Sequence, residues 1–437
     1  MSLLLLPLNP SSSSPLLSLS LSFTLWKSFL LLIALAPTLF TTDYDTSTSL
    51  FFAILYPPNS SIPALASRLT RWDALYFMRS ARTGYVYEQD WAFALGLPKV
   101  VTTLGAALDL DLTTSAWEPL VAIVVAHASH LIAVLSLYQL TLVVCKDKRL
   151  AYLASTIHIL SPAGLFLSAP YAESPFSCLS FVGNLLFALG FKTDRDSLRR
   201  NACVVAAGLV FGLSSTFRSN GIFSGLLFAV EAVQCGLAFV NKPTFSHMMR
   251  LVAPVVGGIL VAAGLVVPQA LAYMRYCMPD VPEAELRPWC TRTIPSIYTF
   301  VQEEYWNVGF LRYWTPNQIP LFLLAAPMLT ILIKSGTAVL LNPSPSLTLT
   351  NLNADTTSRT FIRTLAAMQT ILAVLAITNY HVQIISRVSS GYPVWCWWVA
   401  SCLMDKKRQG WGYGITVFIV MYASIQGALF ASFLPPA

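Results

Sequence analysis

Apolar runs of roughly twenty residues recur along this chain, and that recurrence limits its fold more than any other feature. A helix that crosses a bilayer needs about 20 such residues. Eleven stretches qualify, centred near residues 31, 130, 160, 183, 210, 230, 261, 326, 371, 399 and 422. The expected fold is therefore all-α: a polytopic membrane protein of about 11 transmembrane helices, forming one unit over residues 1–437. Charge content agrees, at 11% of residues against about 25% in soluble domains.

The positive residues fall in short clusters between the runs. Lys146, Lys148 and Arg149 close the second span, and Lys192, Arg195, Arg199 and Arg200 the fourth. Lys242 and Arg250 follow the sixth, Lys334 and Arg359 bracket the loop after the eighth, and Lys406, Lys407 and Arg408 follow the tenth. All lie on one side if the N-terminus is cytosolic, as the positive-inside rule requires. The net charge of +7 is thus a topology signal and not a nucleic-acid footprint. Met1 to Phe40 lacks a positive n-region, and Pro7, Pro10 and Ser11 to Ser14 interrupt its first apolar run. It reads as a retained first helix over about Leu21 to Phe40, with Lys27 snorkelling toward the cytosolic face. Three connections stand out: a first non-cytosolic loop, 41–116, a second, 274–318, and a flexible cytosolic loop, 335–360. The two halves of the chain do not match, which weakens a transporter built from inverted repeats.

The unusual polar residues gather on the non-cytosolic face. In the first loop Asp73, Glu88 and Asp90 sit among Trp72, Tyr76, Phe77, Tyr85, Tyr87, Trp91 and Phe93. A carboxylate beside an interfacial indole can serve as a general base; Asp73 can equally cap a short helix. Glu173 lies in a Pro- and Gly-broken turn, Ser161 to Pro175, where a carboxylate either serves the site or pairs with an arginine. Arg218 and Asn220, between two spans, suit an anionic headgroup or phosphate, or anchor the topology. His381, Gln383 and Arg387 form another polar group on the same face. Aromatics between Arg275 and Gln318 make an interfacial belt or a platform for a sugar and a lipid. Cys277 and Cys290, in an oxidising loop, are a disulfide candidate. No histidine cluster in the loops has metal-ligand spacing, and no metal or other cofactor is expected.

In these stretches the chain resembles the GPI mannosyltransferase 2 family, in particular its fungal branch. The matching residues are Arg71-Trp72-Asp73-Ala74, Gly84-Tyr85, Tyr87-Glu88-Gln89, Ser161 to Ser177 and Arg218-Ser219-Asn220-Gly221. Arg287-Pro288-Trp289-Cys290, Tyr305 to Phe310, Trp314 to Gln318 and His381 to Trp398 follow in order. One departure is Ala92-Phe93-Ala94-Leu95-Gly96, where relatives carry further aromatic or proline residues.

The resemblance implies a GT-C-type glycosyltransferase of the endoplasmic reticulum membrane, with its active site on the luminal side. It implies transfer of the second mannose of the GPI precursor, α-1,6-linked, from dolichyl-phosphate mannose with inversion. On that reading Asp73 is the catalytic base. Arg218, Arg387 or His381 meets the donor phosphate, and Glu88, Asp90 and Glu173 orient sugar hydroxyls, with Trp72 and Asn220 also binding substrate. Dolichyl-phosphate mannose and the GPI precursor lipid are the expected partners, together with a small membrane subunit. The rival readings are another lipid-linked-sugar transferase, a lipid or sugar transporter, and a non-catalytic subunit of GPI synthesis.

Overall fold

The computed structural model describes residues 14–39, 44–58, 60–110, 116–192, 198–278, 286–349 and 355–434. The expected interruption at Pro7 and Pro10 lies outside the described residues, as do parts of all three expected loops and Arg195. Helix α1 (Pro15–Leu35) leads into the first loop, which is itself helical: α2 (Ser47–Leu55), α3 (Ala64–Leu69), α4 (Asp73–Thr83) and α5 (Gly96–Ala107). Then come α6 (Trp117–Cys145), α7 (Lys148–Ile159), α8 (Glu173–Lys192), α9 (Leu198–Phe217), α10 (Gly225–Asn241) and α11 (Phe245–Cys277). Helix α12 (Ile297–Glu304) lies in the second loop, followed by α13 (Ile319–Leu341), α14 (Pro343–Ser346) and α15 (Thr356–Thr378). The last are α16 (Ile385–Val388), α17 (Pro393–Met404) and α18 (Gln409–Ala431).

Local chemistry sets many of these ends. Lys146 takes a left-handed conformation after α6. Asp147 then caps α7 by accepting from Leu150 N, and Asp355 caps α15 by accepting from Ser358 N at 3.0 Å. Each cap satisfies an amide that the helix itself leaves open.

Nine helices among the described residues are long and apolar enough to cross a membrane, two fewer than the expected eleven. The two that fall short are the runs near residues 160 and 399. Helices α7 and α17 have 12 residues each, about 18 Å at 1.5 Å per residue, against a hydrocarbon core of about 30 Å. They pack on each other and continue into non-helical or short-helical segments, 160–172 and 379–392. Apolar side chains there serve burial in protein rather than lipid contact, and a hydropathy count does not separate the two.

Irregular backbone at this depth is tolerated only when protein satisfies it. Ser174 Oγ donates to Leu167 O at 2.9 Å, Ser180 Oγ to Gly391 O at 2.7 Å and Trp395 Nε1 to Ser389 O at 3.1 Å. A Cβ on Gly391 would meet the Phe176 ring at 2.3 Å, so segment 379–392 meets the first turns of α8 through a position open only to glycine.

Lys27 corrects a further expectation. It does not snorkel: the side chain is buried inside the bundle and donates to Leu167 O at 2.9 Å and Ser168 Oγ at 2.8 Å. The connection expected over 335–360 also shrinks, because α13 runs on to Leu341 and α15 starts at Thr356, with 350–354 outside the described residues. At this end Lys192 pairs with Asp355, and Arg408 donates to Ser346 O at 3.1 Å. The positive clusters thus share one end of the bundle. Cys277 and Cys290 are disulfide-bonded, with a Cα separation of 5.5 Å.

Candidate active site

At the other end a cavity of about 540 Å³ opens among the first loop, the broken segments and the ends of α9, α11 and α12. Trp72, Asp73, Arg218, Asn220, His381 and Arg387, all expected at the site, line it. Asp73 begins α4 directly after Trp72, whose φ of +54° lies where bulky L-residues are rarely found. Such a conformation costs about 1–3 kcal/mol and persists only when surroundings impose it. Here the Trp72 ring packs on Phe433 at 4.8 Å, and Tyr171 OH donates to Arg71 O at 2.9 Å.

Four charged groups form a chain through the site. Arg387 Nη2 donates to Asp73 Oδ2 at 2.6 Å, and Arg387 Nε to Glu173 Oε1 at 2.8 Å. Arg218 Nη1 reaches the same Glu173 oxygen at 2.9 Å. The Arg387 guanidinium also lies over the rings of Phe166, at 4.5 Å, and Tyr171, at 4.9 Å. Glu173 is fully buried, whereas the Asp73 side chain keeps 37% of its surface open. Asp73 is therefore the carboxylate a substrate can reach. Glu173 does not line the cavity; it orients the two arginines from behind, which corrects its expected contact with sugar.

Glu88 and Asp90, expected to orient sugar hydroxyls, are likewise absent from the lining. Asp90 is fully buried, pairs with Arg79, and accepts from Val86 N at 3.0 Å and Tyr87 N at 2.8 Å. Glu88 accepts from Trp289 Nε1 at 2.9 Å and Tyr305 OH at 3.3 Å. Both carboxylates tie the first loop to itself and to the second loop. Burial pushes the His381 imidazole below its ordinary pKa; the Asp73 charge opposes the shift and the Arg387 charge adds to it. His381 is thus a neutral group near pH 7, and the fixed positive charge comes from Arg218 and Arg387.

Sequence reasoning missed Gln269 and Gln302 in the lining, and left Tyr298 and Trp306 among the aromatics of a belt or a sugar and lipid platform. A signal existed: Gln269 is a lone amide in the apolar run of α11, and 298, 302 and 306 repeat every four residues, one helix face. Among the described residues no group of three or more His, Cys, Asp or Glu is placed to hold a metal ion.

With this geometry in view, the similarities to known proteins are informative. The Mannosyltransferase (PIG-V) family profile matches residues 19–437. A GPI mannosyltransferase 2 of Gibberella zeae is 64% identical over 97% of this chain and 98% of its own length. Proteins of the same name from Chaetomium globosum and Aspergillus oryzae are 47% and 39% identical, over 97% and 98% of this chain and 96% and 97% of their own lengths. Among solved structures, an Archaeoglobus fulgidus oligosaccharyltransferase in complex with an inhibitory peptide and a dolichol-phosphate aligns with a TM-score of 0.43 at 13% identity. That alignment covers 94% of this chain and 57% of the archaeal one, so this chain spans just over half its length. On the profile match and the fungal relatives, the chain belongs to the mannosyltransferase (PIG-V) family of glycosyltransferases.

Proposed function

We propose that this protein adds the second mannose to the mannosyl-glucosaminyl-(acyl)phosphatidylinositol intermediate of GPI-anchor biosynthesis. The donor is dolichyl-phosphate mannose, the new bond is α-1,6, and the reaction runs at the luminal face of the endoplasmic reticulum membrane. The observation that carries this reading is the Asp73–Arg387–Glu173–Arg218 chain at the cavity, one open carboxylate beside two held guanidiniums. Segregation of this site from the positive clusters supports the luminal assignment.

In the reaction the acceptor 6-hydroxyl oxygen attacks the anomeric carbon on the face opposite the phosphate. Asp73 takes the hydroxyl proton as the new C–O bond forms, and dolichyl phosphate leaves with the electron pair of the broken bond. A β-linked donor so gives an α-linked product. General-base help contributes about 10²–10⁴-fold. Arg387 and Arg218, fixed by Glu173, are suited to the charge that develops on the leaving phosphate. The scheme requires no metal. A small membrane subunit is part of the proposal as a partner in cells.

Complementation of cells lacking the endogenous enzyme tests it, comparing the wild-type chain with Asp73→Asn at matched expression. Wild type should restore GPI-anchored protein at the surface, with α-1,6-linked product, while Asp73→Asn leaves the one-mannose precursor accumulating. Full rescue by Asp73→Asn would remove the catalytic assignment. Failure of wild type even with the fungal partner subunit co-expressed would remove the function itself.

A further inference from the structure

The charged residues account for one part of the cavity lining; a second part, from α11 and α12, is neutral and polar. Gln269 Oε1 accepts from Ser296 Oγ at 3.0 Å and from the backbone N–H of Tyr298 at 3.2 Å. A backbone N–H can only donate, so this bond decides which end of the amide is oxygen. The other end of the amide is thereby Nε2, which carries two N–H donors, on a residue that lines the cavity.

Helix α12 supplies the rest. Tyr298, Gln302 and Trp306 stand four residues apart and all line the same cavity, as one face of a helix and its extension must. Tyr298 OH accepts from Ser219 Oγ at 3.1 Å, which leaves its own proton available. Trp306 is half-buried and holds the Phe93 ring edge-on at 5.5 Å. Amide donors and acceptors beside an indole suit a ring of hydroxyls with apolar C–H faces. They do not suit a phosphate, which the two arginines already serve.

We infer that Gln269, Tyr298, Gln302 and Trp306 form a subsite for a neutral hexose ring, with Gln269 Nε2 and the Gln302 amide bonding its hydroxyls. The inference rests on the transferase reading above and names residues of the same cavity that select its sugar. The hexose is either the mannose of the donor or a sugar of the acceptor, and the test distinguishes them.

The test uses the purified full chain in nanodiscs, titrated separately with dolichyl-phosphate mannose and with mannosyl-glucosaminyl-phosphatidylinositol. Two variants are compared with wild type: Gln302→Leu, and Gln269→Glu, which keeps an oxygen for Ser296 and Tyr298 but removes the N–H donors. Each should bind one of the lipids about three- to tenfold more weakly, the worth of a neutral hydrogen bond, with the other lipid and the thermal midpoint unchanged. Weakening for the phosphatidylinositol lipid assigns the subsite to the acceptor; weakening for the dolichyl lipid assigns it to the donor sugar. Wild-type affinity of both variants for both lipids overturns the subsite, as does equal weakening for both with a lowered midpoint. Mannosyl transfer by wild type is assayed on the same preparation. Wild type that stays inactive with the partner subunit co-purified, yet still shows lipid-selective weakening, would sink the reaction and leave the subsite standing.

Discussion

Arg387 is the residue on which the site turns, because among the described residues it is the side chain that bonds both Asp73 and Glu173. Its fork allows Nε and Nη2 to serve two carboxylates at once, which a lysine ammonium at the end of a flexible stem does not reproduce. Arg387→Lys should lower kcat by about 10²-fold, the loss expected when preorganised charge is misplaced, while the protein stays folded. Single-turnover assays in membranes would check this, and near-normal kcat would count against the role. His381 gives the opposite expectation. Its folded pKa lies below the unfolded value of about 6.5, so the folded state binds the proton less readily than the unfolded one. Its contribution to stability is complete above that value and declines as pH falls below it. From about pH 7 to 8.5, above the ordinary imidazole value, a neutral imidazole has no positive charge to lose. The kcat/KM profiles of wild type and His381→Gln should therefore run parallel over that range. A limb falling with rising pH in wild type alone would mean a cationic His381.

At the scale of elements, the broken segment 160–172 is held in place by the first helix. Lys27 donates to Leu167 O and Ser168 Oγ, and the same segment carries Phe166 and Tyr171, the two rings under Arg387. Lys27→Met keeps most of the buried stem and removes both bonds. Each hydrogen bond contributes about 0.5–1.5 kcal/mol, so the variant should unfold at a lower temperature and lose activity although Lys27 does not line the cavity. Thermal unfolding in detergent, with Lys27→Arg as the conservative comparison, reads this; an unchanged midpoint for Lys27→Met would show the bonds carry no weight. The element-level surprise is that a lysine in an apolar run was not at a membrane edge. Hydropathy marked its helix, but only the packing of 160–172 against that helix gave the amino group its partners.

For the whole molecule, the helices alternate so that the lysine and arginine clusters occupy one end and the cavity the other. An Asn-X-Thr acceptor inserted near 293–295 should be glycosylated in cells, and one inserted at 345–347 should not, since glycans are added on the luminal side only. Gel mobility before and after deglycosylation reads the result, and the reverse pattern would invert the topology. The sequence by itself determined the all-α membrane class, the two faces and the stretches that bear chemistry. Those depend on composition over twenty-residue windows and on charges a few residues apart, quantities local to the chain. It also marked Asp73, Arg218, His381 and Arg387 as site residues. Only the tertiary structure separated Asp73 from Glu88, Asp90 and Glu173. All four are carboxylates in polar, aromatic-rich stretches, and what distinguishes them is which guanidinium, indole or backbone amide lies within 3 Å. The deciding bond of the site joins residues 314 positions apart. A partner at that separation leaves no periodicity or spacing in the sequence, because it is set by how the helices pack.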